Sequence, residues 1–87
     1  MQFKKIFITG GAGFIGSFIC EEIYNKFPKS KIIIFDKLTY AGKKKYLQKI
    51  IKSSRVKFVK GDIIKHKTYS KLLKNVDLAI NVAAESH

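Results

Sequence analysis

The chain has 87 residues, 46% of them hydrophobic and 28% charged, the make-up of one small folded soluble domain, which excludes wholesale disorder and leaves no room for a second domain. Eighteen basic residues against six acidic ones give a formal net charge of +12, and every basic residue except Arg55 is a lysine. Lysine meets phosphate as a point charge without the planar fork that reads guanine, so no nucleic-acid partner is expected; the lysines read as a solvated surface, with weak non-specific attraction to polyanions as the alternative.

In chain order, Lys5 to Thr9 is an apolar run ending at glycines, which predicts a buried parallel strand. The N-terminus carries Lys4 and Lys5, but the following Ile6-Phe7-Ile8 is too short for a signal peptide or a membrane span, so no membrane and a cytoplasmic location are expected. Thr9 to Ser17 follows and parses as Gly11-x-Gly13-x-x-Gly16 or Gly10-x-x-Gly13-x-x-Gly16. A helix is predicted from about Gly13, with Ile15, Ile19 and Ile23 forming an apolar stripe beside Phe18, and it should fail before Pro28. Cys20, the only cysteine, falls on this helix and leaves neither an internal disulfide nor a multi-cysteine zinc site.

Lys31 to Phe35 is a continuous β-branched and aromatic run, the strongest strand signal in the chain, with Asp36 at its C-terminal end. After a loop from Lys37 to Gly42, the spacing of Tyr46, Leu47, Ile50 and Ile51 predicts an amphipathic helix ending around Ser53-Ser54. Val56 to Lys60 reads as a third strand closed by Gly61-Asp62. Tyr69, Leu72, Leu73 and Val76 repeat at helical spacing, and Leu78 to Val82 reads as a fourth strand. The resulting fold class is α/β, a parallel sheet of about four strands in the order 3-2-1-4 with right-handed crossover helices. A ligand crevice is expected between strands one and four, where the winding reverses.

The glycine-rich stretch between a strand and a helix suits a dinucleotide pyrophosphate. Gly10 and Gly11 make the turn, Gly13 permits close approach, Gly16 lets helix and strand pack, and Phe14 and Ile15 supply amides at the helix start. Asp36 stands where a carboxylate accepts from both ribose hydroxyls and repels a 2′-phosphate, which favours NAD over NADP, although Lys37 softens that preference. Asp62 and Ile63 fit either an adenine contact or a plain Gly-Asp turn. Tyr40 and Lys44 have a Tyr-x-x-x-Lys spacing, but Gly42 lies between them and the segment follows strand two, at the adenosine end and away from hydride chemistry. Ala83, Ala84 and Glu85 follow strand four at the crevice, with Ser86 placed for a substrate hydrogen bond. His66 and His87 are too sparse for a metal site, and the adjacent Ser86 and His87 lack an orienting acid for a nucleophile pair.

Thr9 to Ser17, Asp36-Lys37-Leu38-Thr39-Tyr40-Ala41-Gly42, Gly61-Asp62-Ile63 and Ala83-Ala84-Glu85-Ser86-His87 together resemble the N-terminal part of the dTDP-glucose 4,6-dehydratase family of extended short-chain dehydrogenases/reductases. The glycines mark only the superfamily, whereas the second and last segments are more specific; Lys43 departs from the asparagine common in the family. The resemblance implies a partial NAD-binding Rossmann fold. It implies NAD contacts from Gly10, Gly13, Phe14, Ile15, Gly16, Asp36 to Thr39, Asp62, Ile63 and Ala83 to Glu85, with Ser86 at the substrate edge. It further implies a lyase that oxidises the hexose of dTDP-glucose at C4, eliminates water across C5 and C6 and returns the hydride to C6; full-length members are homodimers. The family's catalytic tyrosine and lysine, its acid pair and its sugar-nucleotide domain fall beyond residue 87. Residues 1–87 are therefore expected to be a fragment or truncated product that is inactive alone. An epimerase or decarboxylase fragment of the same superfamily, a non-catalytic nucleotide-binding remnant and a basic polyanion-binding module are the alternatives.

Overall fold

A computed structural model of the chain describes residues 2–10, 14–36, 47–61 and 70–82. Its elements are β1 (Lys5–Thr9), α1 (Phe14–Lys26), β2 (Lys31–Asp36), α2 (Gln48–Ile51), β3 (Val56–Lys60), a 3-10 turn at Lys71–Leu73, and β4 (Leu78–Asn81). The four strands form one parallel sheet in the order β3-β2-β1-β4. The registers pair Ile6 with both Ile32 and Leu78, and Ile32 with Val56. This is the topology expected from the strand and helix alternation.

Alternation along the two central strands divides the core between the faces of the sheet. Ile6, Ile8, Ile32 and Ile34 point to one face, where Cys20 of α1 and Leu47 and Ile50 beside and within α2 cover them. Phe7, Ile33 and Phe35 point to the other, against Val59, Leu72 and Val76. The continuous apolar runs of β1 and β2 are explained by burial on both faces. Val59, which blurs the alternation of β3, is the residue that strand contributes to the second face.

One helical expectation is corrected. The face of α1 turned to the sheet is Gly16, Ser17 and Cys20, with Ile23, Tyr24 and Phe27 continuing it. Ile15 and Phe18, assigned to the buried stripe from the sequence, are 63% and 62% exposed. Small side chains let the helix axis approach the strands, and a count of apolar residues does not register them as an interface. Of the helical segment expected around Tyr69 to Val76, residues 62–69 lie outside the described residues; Ser70 is helical, a 3-10 turn follows at Lys71–Leu73, Lys74 is extended, and Asn75 takes a φ of 66°. Among the described residues no helix is long and apolar enough to cross a membrane.

Polar pins tie the amino-terminal edge of the sheet. The Arg55 guanidinium donates to the carbonyls of Tyr24 (3.0 Å), Phe27 (3.0 Å) and Ser30 (2.8 Å), and lies 4.0 Å from the Tyr24 ring centroid. It thereby satisfies carbonyls at the end of α1 and the turn into β2. The Asp77 carboxylate accepts the backbone N–H groups of Lys4 (2.8 Å) and Lys5 (2.9 Å), while its own N–H donates to the Lys5 carbonyl (3.0 Å). The Lys4 amide, followed by that of Lys5, holds its carboxyl below the ordinary carboxylate range.

Replacing Arg55 with Ala should lower unfolding free energy by about 2 kcal/mol in a urea titration, since it strands charge-assisted hydrogen bonds and a stacked ring. For Asp77 the folded carboxyl is the more acidic one, so its contribution is present above the ordinary carboxylate value and fades as pH falls through the folded value. Melting temperatures of the parent chain and Asp77→Asn should therefore differ at neutral pH and converge in acid below the lowered folded value.

Candidate functional site

The carboxyl ends of the strands are laced together by the backbone. Gly10 N–H donates to the Phe35 carbonyl, Val82 N–H to Thr9, and Gly61 N–H to Asp36, each at 2.9 Å. Gly10 leaves β1 with a φ of 77°, and a Cβ at this position would run into the carbonyl oxygen of Val82. A side chain is thus excluded twice, by the left-handed backbone and by the neighbouring main chain. The chain escapes between β2 and β4, at the point where successive crossovers change face.

From Gly10 the chain reaches the first turn of α1, which contains Phe14, Ile15 and Gly16. A helix start presents N–H groups that have no acceptor inside the helix, together with the positive end of its dipole. Gly16 is buried against the sheet, as its proposed packing role requires, whereas the Phe14 and Ile15 side chains are exposed. Ser17 turns its hydroxyl back to the Phe14 carbonyl at 2.8 Å.

Asp36 ends β2 on the same edge, half-buried, and alternation places it on the α1 face with Ile32 and Ile34. Its charge is felt by Cys20. Burial first, and the Asp36 carboxylate second, push the Cys20 thiol up to about 12, so this cysteine is an inert packing group and not a nucleophile. Gly10, Phe14, Ile15, Gly16 and Asp36 are thus brought to one edge of the sheet. The other sequence-predicted positions, Gly13, Lys37, Leu38, Thr39, Asp62, Ile63, Ala83, Ala84, Glu85 and Ser86, lie outside the described residues, as do Tyr40, Lys44, His66 and His87. Among the described residues no group of three potential metal ligands occurs.

One contact at this edge was not anticipated from the sequence. The Thr9 hydroxyl donates to Asn81 Oδ1 at 2.6 Å, across the paired ends of β1 and β4. The available signal was a polar residue at the end of each of two apolar strand runs, which becomes meaningful only once those strands are neighbours.

Parallel strands in the order 3-2-1-4, crossovers covering both faces, and a glycine-forced turn at the reversal point define a doubly wound α/β domain of the Rossmann type. The family model for GDP-mannose 4,6 dehydratase matches residues 7–87, and the chain belongs to that family. It is 42% identical over 90 residues to a dTDP-D-glucose 4,6-dehydratase of Dictyostelium discoideum, covering 97% of this chain and 20% of that protein. It is 40% identical over 86 residues to a trifunctional UDP-glucose 4,6-dehydratase/epimerase/reductase of Arabidopsis thaliana, covering 97% of this chain and 13% of that one. A dTDP-glucose 4,6-dehydratase from Bacillus anthracis, solved in complex with NAD, superposes with a TM-score of 0.83 at 37% identity, over 94% of this chain and 27% of that one.

Gly10→Ala should destabilise the fold by about 2–4 kcal/mol in chemical denaturation, from the left-handed backbone and the collision with Val82 together.

Proposed function

We propose that the chain is the NAD-binding portion of a nucleotide-sugar 4,6-dehydratase that acts, as a whole enzyme, on dTDP-glucose. The observation that carries this reading is the convergence of the Gly10 turn, the start of α1 and Asp36 on one edge of the sheet at its reversal point. The residues present fit the cofactor. The space a Cβ would fill at Gly10 is closed by main chain, which keeps the backbone available at this turn, and the helix start is disposed toward a pyrophosphate. The Asp36 carboxylate would accept both adenosine ribose hydroxyls and disfavour an added 2′-phosphate.

When bound, NAD supplies a hydride acceptor that later returns what it took. The chain's own share is binding and orientation. Gly13 would extend the phosphate turn, Lys37 to Thr39 and Asp62 with Ile63 would border the adenosine, and Ala83 to Glu85 would leave room for the nicotinamide ribose with Ser86 toward the sugar. Relatives four or more times longer supply the remainder of the named activity, so residues 1–87 alone hold cofactor without turnover. UDP-glucose is the second reading for the sugar nucleotide, because the Arabidopsis relative named for it matches this chain nearly as well as the Dictyostelium one.

Saturation-transfer NMR on the 87-residue chain should show NAD binding through its adenosine protons, with NADP bound more weakly. Asp36→Ala should weaken NAD about tenfold, the scale of a lost charge-assisted hydrogen bond, and narrow the gap to NADP. Incubation with dTDP-glucose and NAD should yield no 4-keto-6-deoxy sugar. Equal affinity for both dinucleotides, or an Asp36 variant that binds NAD unchanged, would overturn the assignment.

A further inference from the structure

The edge opposite the candidate cofactor site gathers cations that lie far apart in the sequence. Lys4 precedes and Lys5 opens β1, Lys31 opens β2, Lys26 and Lys29 flank the turn between α1 and β2, and Lys74 precedes β4. All are exposed except the half-buried Lys5. The register sets Lys5 directly beside Lys31, and like charges facing one another on neighbouring strands oppose folding. Lys5 relieves part of this by donating its ammonium to the Lys74 carbonyl at 3.0 Å.

Acid offsets only part of the cluster: the Asp77 carboxylate, which accepts the backbone amides of Lys4 and Lys5, is one negative charge against these six lysines. The Glu21–Lys49 ion pair, at 3.6 Å, joins α1 to α2, and Glu22 stands one helical turn before Lys26. A cavity of about 280 Å³ opens beside the cluster, bordered by Gln2, Lys26, Phe27, Pro28, Lys29 and Ser30.

Contrary to the expectation of no nucleic-acid partner drawn from composition, we infer that this amino-terminal edge is a docking surface for the phosphodiester backbone of duplex nucleic acid, bound without sequence preference. Ammonium groups on a hydrogen-bonded sheet edge are point charges suited to phosphates, and the described part of the edge has no arginine left to read bases, since Arg55 is engaged with three carbonyls. An anionic membrane is the weaker fit. Surface binding to lipid couples basic residues to inserted apolar ones on the same face, whereas among the described residues the most exposed large apolar side chains, Phe14, Ile15 and Phe18, sit at the start of α1 on the opposite edge. The surface is spatially separate from the proposed cofactor edge and does not depend on that assignment.

The test is fluorescence anisotropy of a labelled short DNA duplex titrated with the 87-residue chain across a salt series. Two variants carry the same net charge. One is Lys4→Gln, Lys29→Gln and Lys31→Gln at the proposed edge; the other is Lys49→Gln, Lys57→Gln and Lys60→Gln elsewhere. The edge variant should lower the slope of log affinity against log salt by about 2–3, the release expected for three phosphate contacts, and the other should leave it nearly unchanged. In the unsubstituted chain, bound duplex should protect Lys4, Lys29 and Lys31 from acetylation, a reading that does not depend on either variant folding. An equal loss in both variants, absence of protection, or displacement of the duplex by phosphatidylserine vesicles at the same salt would overturn the inference.

Discussion

The backbone of Gly10 is the constraint on which the rest of the structure depends. Its N–H is committed to β2 through Phe35, and its α-carbon faces the main chain of β4 at Val82. That arrangement is possible only without a side chain and with a φ of 77°. It fixes where the chain leaves the sheet and, with residues 11–13 alone separating it from Phe14, it restricts the phase at which α1 can begin.

The phase of α1 explains an otherwise unfavourable arrangement. Phe14, Ile15 and Phe18 remain exposed, although burying each would stabilise the domain by about 1.5–3 kcal/mol. Gly16, Ser17 and Cys20 take the inward face instead, which brings the helix start close to the strands while Ile23, Tyr24 and Phe27 secure its far end. Proximity of the helix N-terminus to the sheet edge thus takes precedence over maximal apolar burial. Arg55, just before β3, then closes the other end of the same helix through the carbonyls of Tyr24 and Phe27.

The two edges of the sheet are chemically opposite. The carboxyl edge combines a glycine turn, a helix start and the carboxylate of Asp36. The amino edge carries lysines drawn from β1, β2 and the crossovers, with Asp77 engaged by backbone amides. Parallel topology produces this division because every strand begins at one edge and ends at the other, so residue types placed at strand starts and strand ends sort into separate surfaces.

The sequence by itself determined the strands and their order. Ile32 to Phe35 and Ile6 to Ile8 are too continuously apolar for anything but two-sided burial, and the alternation with amphipathic segments leaves a right-handed parallel sheet as the solution. It also located Gly10 and Asp36 at strand ends, because a turn requiring φ > 0 and a terminal carboxylate are local properties. The tertiary structure alone decided the face of α1, since small residues at 16, 17 and 20 become an interface only against a particular sheet. It alone revealed how the third crossover enters β4, with Lys74 extended and Asn75 left-handed. The Thr9–Asn81 bond, the reach of Arg55 to three carbonyls and the gathering of lysines at one edge were likewise beyond the sequence. Each joins residues distant along the chain, and local periodicity carries no information about which distant residues the sheet will make neighbours.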